Sequence, residues 1–101
     1  MSSSRPEARE PRAMSVVVTD ETITVDLVDG RTVSAPIAWY PRLAHATAAE
    51  RSHWRFVGHG QGIHWPDLDE DISVGGLLAG RASCESNASL DRWLANRKAA
   101  G

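Results

Sequence analysis

Apolar and polar positions alternate most regularly in Thr22-Ile23-Thr24-Val25-Asp26-Leu27, where Ile23, Val25 and Leu27 fall on one side and Thr22, Thr24 and Asp26 on the other. That period of two is the mark of a half-buried strand. Before it, Val16-Val17-Val18-Thr19 is a β-branched run suited to a strand, with a turn at Asp20-Glu21. After it, Arg31-Thr32-Val33-Ser34-Ala35 alternates again until Pro36 ends the ladder. A two-residue turn would set Val25 opposite Ser34 and mix polar with apolar positions on both faces. A three-residue loop over Val28-Asp29-Gly30 instead pairs Val25 with Val33 and Ile23 with Ala35, with Gly30 as the left-handed residue. The pattern predicts the three-residue loop.

Beyond Pro36 the period lengthens. Trp39 and Leu43 lie one turn apart in Ile37-Ala38-Trp39-Tyr40-Pro41-Arg42-Leu43, which predicts a helix of one or two turns. Thr47-Ala48-Ala49-Glu50 is a capping box and opens another brief helix. Trp54-Arg55-Phe56-Val57 and Ile63-His64-Trp65 read as a second hairpin around Gly58-His59-Gly60-Gln61-Gly62, stopped by Pro66. The segment from Ser73 to Ala79 reads as a short helix with Ser73 or Asp71 as N-cap and Gly80 as its stop. Residues 81–88 read as linker, and residues 89–98 as an amphipathic helix with Leu90, Trp93 and Leu94 as its apolar stripe. The fold class is therefore α+β, a small antiparallel sheet of about five strands in two hairpins with two or three short helices. Residues 1–13 read as a disordered head, residues 14–80 as the domain, and residues 89–101 as the C-terminal helix and tail.

Composition adds little to that picture, and charge adds more. With 42% hydrophobic and 24% charged residues the chain has the balance of a globular protein. No run approaches the roughly 18 apolar residues that span a bilayer, and Arg5, Glu7, Arg9 and Glu10 replace the apolar stretch of a signal peptide. A cytoplasmic setting is expected. Cys84 is the only cysteine, so neither a disulfide framework nor a thiolate-rich zinc site is expected. Residues 14–80 hold four arginines against nine carboxylates, a net charge of −5. A domain of that sign repels phosphate backbones and attracts basic protein surfaces, so direct nucleic-acid binding is disfavoured.

The densest stretch is Gly62-Ile63-His64-Trp65-Pro66-Asp67-Leu68-Asp69-Glu70-Asp71-Ile72-Ser73, with four of the thirteen acidic residues. Read as a calcium loop from Asp67, it places Ile72 where the sharp turn needs glycine and Leu78 where a bidentate glutamate belongs. No metal is expected. Acidic residues there would favour the positive end of the following helix. Alternatively Trp65, Asp67, Asp69, Glu70 and Asp71 form a partner-binding surface, an aromatic anchor ringed with charge. His45, His53, His59 and His64 show no zinc spacing, and a hydrolytic base at His59 or His64 with a nucleophile at Ser52 or Ser73 lacks any nucleophile-elbow motif. No catalytic residue and no cofactor are assigned. The alternating glycines around His59 suit a mobile hairpin tip better than a phosphate loop.

Asp29-Gly30-Arg31, Pro36, Trp39-Tyr40-Pro41-Arg42-Leu43 and the stretch from Gly62 to Val74, with Leu77-Leu78, resemble the small bacterial domain-of-unknown-function family 2442 over about residues 15–80. The resemblance implies a compact α+β domain, often encoded beside a second small protein in a pair that looks like a toxin and its antitoxin. Some members carry a helix-turn-helix after the domain, for which the residues after Gly80 leave no room. The function expected is that of a non-enzymatic protein-binding module, an antitoxin-like or regulatory partner of a second small basic protein encoded nearby. The alternative is a small metal-dependent or hydrolytic enzyme using His64 with Asp67 or Asp69.

Overall fold

The computed structural model describes residues 11–100, with side chains through Lys98. Residues 1–10 of the expected head lie outside the described residues; its last residues do not stay apart from the domain. Ala13 is buried and begins the first strand, β1 (Ala13–Val18), and the Arg12 carbonyl accepts a hydrogen bond from Val28 N. β1 pairs antiparallel with β2 (Thr22–Leu27), which pairs with β3 (Thr32–Pro36). Val25 faces Val33 and Ile23 faces Ala35, and Gly30 has φ 97°. The three-residue loop is the one that forms. The burial of Ile23, Val25 and Leu27 fixes the register, since a slip by one residue would turn all three toward water.

A 3-10 turn (Ile37–Trp39) and two short helices, α1 (Pro41–Ala44) and α2 (Ala48–Ser52), follow. Helices of four and five residues do not survive alone in water. Here α1 is pinned by Leu43, fully buried, and α2 by the capping box, in which Thr47 Oγ1 accepts from Glu50 N and Glu50 Oε1 accepts from Thr47 N.

The second sheet contains three strands, β4 (Arg55–Val57), β5 (Gly62–Trp65) and β6 (Glu70–Ser73), in that order and antiparallel. The α+β class and the antiparallel strands are as expected, with six strands in two sheets where the pattern predicts about five. Glu70 to Ser73 does not begin a helix; it pairs Ile72 with Ile63 and Glu70 with Trp65. The reason is alternation. Glu70 and Ile72 face inward and Asp71 and Ser73 outward, and the tight turn of residues 66–69 lets Leu68 plug the core while Asp69 adopts φ 51°. The helix begins one residue later, as α3 (Val74–Leu78), with Ser73 as N-cap and Gly80 at φ 75° beyond its end. In the glycine turn between β4 and β5, Gly58, His59 and Gln61 are exposed and one residue is packed. Gly60 is buried with φ 90°, and a Cβ there would stand 3.1 Å from the Ala13 carbonyl oxygen.

One core serves both sheets: Val16, Ile23, Val25 and Leu27 from the first, Ile63, Trp65 and Ile72 from the second, and Leu43, Leu68, Val74 and Leu77 from the helices and loops. Residues 81–86 have no regular secondary structure but do not form the free linker expected over residues 81–88, because Tyr40 OH donates to the Arg81 carbonyl and Ser83 N to the Trp39 carbonyl. The last helix, α4 (Asn87–Ala100), starts two residues earlier than expected and docks on the domain through Trp93.

Candidate functional site

The acidic stretch reaches the surface as a turn whose backbone is held from behind. Arg42, on α1, donates from Nη1 to the Leu68 carbonyl at 2.8 Å and to the Asp69 carbonyl at 3.5 Å. The same guanidinium grips both Glu85 carboxylate oxygens at 2.6–3.0 Å and lies 5.2 Å from the Trp93 ring centroid. Hydrogen bonding to Glu85 raises the Arg42 pKa and lowers that of Glu85. Arg42 therefore locks the turn to the C-terminal segment through main-chain oxygens, leaving the turn's own carboxylates outward.

Those carboxylates have different neighbours. Asp67 meets His53 Nδ1 at 2.7 Å, just ahead of β4, and Asp71 meets His64 Nδ1 at 2.7 Å across the outer face of the sheet. Asp67, Asp69 and Asp71 are all exposed. Trp65 is not. Its ring lies on the inner face of β5 with no exposed surface, and its Nε1 donates to the Arg51 carbonyl at 3.1 Å. It cannot anchor a partner. Exposed apolar surface on this sheet comes instead from β4, where Phe56 and Val57, opposite Ile63 and Gly62, are each 37% exposed. The Phe56 ring stacks at a tilt on Trp54 with centroids 4.9 Å apart. β4 is an edge strand, and its outer side has no neighbour in the sheet.

Glu70 faces the other way, into a cleft of about 260 Å³ between β6 and residues 81–84, with Tyr40, Ile72, Gly76 and Arg81 among its walls. Burial is the main cause that pushes the Glu70 carboxyl up to about 7; Glu85, Asp71 and Asp69 push in the same direction and Arg42 opposes them. Burial and then the charge of Glu70 raise the Tyr40 phenol as well. A half-buried carboxyl titrating near neutrality can hold a cation or exchange a proton.

The pairing of His64 with Asp67 or Asp69 does not occur, since His64 is bonded to Asp71 and Asp67 to His53. The two serines considered as nucleophiles serve helices: Ser73 Oγ accepts from Gly76 N, and Ser52 Oγ donates to the Ala48 carbonyl. Among the described residues no group of three histidine, cysteine or acidic side chains stands ready to hold a metal ion. No described helix is long and apolar enough to cross a membrane. No local pattern marks Tyr40, Arg81 or Glu85 as cleft or clamp residues. Glu70 stood out only as one of the acidic run, and its inward position follows from the pairing of β6 with β5.

The fold and this site define a small two-sheet α+β domain with an acidic turn and a shallow cleft at one sheet edge. The chain belongs to the family described as "Protein of unknown function (DUF2442)", whose sequence profile matches residues 13–83. It is similar in structure to a protein of unknown function from Rhodospirillum rubrum, with a TM-score of 0.64 and 32% identity over 79% of this chain and 96% of that one. An uncharacterized protein from Chromobacterium violaceum, solved by solution NMR, shares the fold with a TM-score of 0.61 and 24% identity, over 85% of this chain and 75% of that one. No curated protein matches the chain.

Proposed function

We propose that this domain is a non-enzymatic protein-binding module, the antitoxin-like or regulatory partner of a second small basic protein encoded nearby, acting in the cytoplasm. The observation that carries the reading is the corner of the second sheet. There the open edge of β4, with Phe56 and Val57 exposed, continues through His53 into a turn whose Asp67, Asp69 and Asp71 point to solvent. An unpaired strand edge offers main-chain hydrogen bonds to an incoming extended segment, and the apolar side chains offer contact area. The carboxylates select for a basic chain, in keeping with the −5 charge of residues 14–80. Because Arg42 and Leu68 hold the turn from inside, little order has to be imposed on it when a partner docks.

Co-expression with the product of the adjacent gene tests this reading. A stable complex is expected, weakened at least about tenfold by charge reversal at Asp69 and Asp71 and weakened further by salt. Separate elution of the two proteins at low salt overturns it.

A further inference from the structure

The cleft beside β6 is too small for most organic ligands, whose sites run from roughly 300 to 1,000 Å³, but its 260 Å³ accommodates one long side chain. Its walls are apolar along Ile72, Gly76 and Ala82, and its charged groups on the β6 side are Glu70 and Asp71, the latter bonded to His64. The groups around Glu70 leave its carboxylate unmatched. From its own turn and strand, Asp69 and Asp71 add negative charge, as does Glu85 from the C-terminal segment. Arg42 is the nearby cation, yet its guanidinium is committed to Glu85 and to the Leu68 carbonyl. The Tyr40 hydroxyl is spent on the Arg81 carbonyl, and the Arg81 guanidinium, across the cleft, forms no ion pair with Glu70 in this structure.

We propose that this cleft is a lysine pocket, taking one ammonium-tipped side chain of the basic partner with Glu70 as its counter-charge and the Ile72 to Gly76 wall against its methylene stem. The proposal rests on the protein-binding reading above and names the residue that reading leaves unspecified. A lysine suits it better than an arginine, because a slim apolar stem ending in a point charge matches a small cleft with one unpaired carboxylate, Asp71 being taken by His64, whereas a guanidinium needs a fork of acceptors. Binding should follow the ionisation of Glu70.

The test uses the full chain, ¹⁵N-labelled, titrated with Nα-acetyl-lysine methylamide, with the norleucine derivative as the uncharged control. Saturable amide shifts confined to residues 70–76 and 81–84 are expected. Affinity should be roughly tenfold higher at pH 8 than at pH 6, as expected of a carboxyl titrating near 7. Glu70→Gln, which removes a half-buried charge and should fold, is expected to abolish the shifts, and Glu21→Gln, at an exposed position between the first two strands, to leave them within about twofold. Shifts equal for the norleucine derivative, absent altogether, or unchanged in Glu70→Gln overturn the pocket. The two readings separate in the partner complex. If the complex forms and Glu70→Gln leaves its affinity unchanged, the pocket falls and the partner reading stands; if the lysine derivative binds at Glu70 and no complex forms, the partner reading falls alone.

Discussion

On the outer face of the first sheet the polar groups of β2 are matched across the strands: Asp26 accepts from Ser15 and Thr32, and the Thr24 and Ser34 hydroxyls meet. The second sheet is shorter, leaves all three residues of β4 exposed, and turns a carboxylate inward at Glu70. Both sheets share one core, so the difference is not one of packing alone. Where side chains satisfy one another, a surface has little left to give a partner. The unmatched inward carboxylate belongs to the second sheet, and so do both proposed contacts.

The comparison breaks most severely at Leu68, the fully buried plug of the acidic turn. Leu68→Ala should cost about 2–5 kcal/mol in urea unfolding, through lost burial and the cavity left behind. Arg42→Ala comes next, at about 2–3 kcal/mol, because it leaves the Leu68 carbonyl without its side-chain donor and Glu85 without its counter-charge, held by Ser89 alone. The same variant should release α4 to protease well before the sheets unfold.

Glu70 sharpens the contrast through pH. Its carboxyl holds a proton up to about 7 when folded but only to about 4.5 when unfolded, so the folded state binds the extra proton across that window. Stability should therefore fall as pH rises from about 4.5 to 7 and level off above, and Glu70→Gln should remove the slope. Discounted for solvent screening, the gain at pH 8 is about 1–2 kcal/mol. Glu50 is its opposite. Hydrogen bonds from Arg97 lower its pKa to about 2, so its contribution is present above about 4.5 and is lost as pH falls toward 2. The smallest effect belongs to the first sheet. At Gly30 a Cβ meets open space, but φ 97° strains any L-residue, and Gly30→Ala should cost about 1 kcal/mol in thermal unfolding.

The same contrast governs how much the chain discloses before it folds. Ile23, Val25, Leu27 and Val33 alternate against polar residues, and only the three-residue loop keeps them on one face, so β2, β3 and their register could be read directly. The Thr47 capping box and Ser73 cap were equally readable, being local hydrogen bonds between near neighbours. β6 was not, because one of its two inward positions is Glu70, and a carboxylate on an inner face breaks the binary pattern that identifies a strand. Trp65 was misplaced for a related reason. A tryptophan beside acidic residues suits an anchor as well as a core, and only its pairing on the inner face of β5 decides. The Arg42 clamp joins residues 26 and 43 positions away, a separation that no local pattern encodes.

Trp93 lies between two guanidinium groups, that of Arg42 at 5.2 Å and that of Arg97 at 4.6 Å. The family's shared segment stops at residue 83, ahead of Glu85, Trp93 and Arg97. A fragment trimmed to that boundary would strand a cation beside the acidic turn and strip the shield from Glu50. Arg42 and Glu50 thus each find a partner past that boundary, and the last helix acts as a clasp whose loss would alter the shape of the turn without touching a single residue in it.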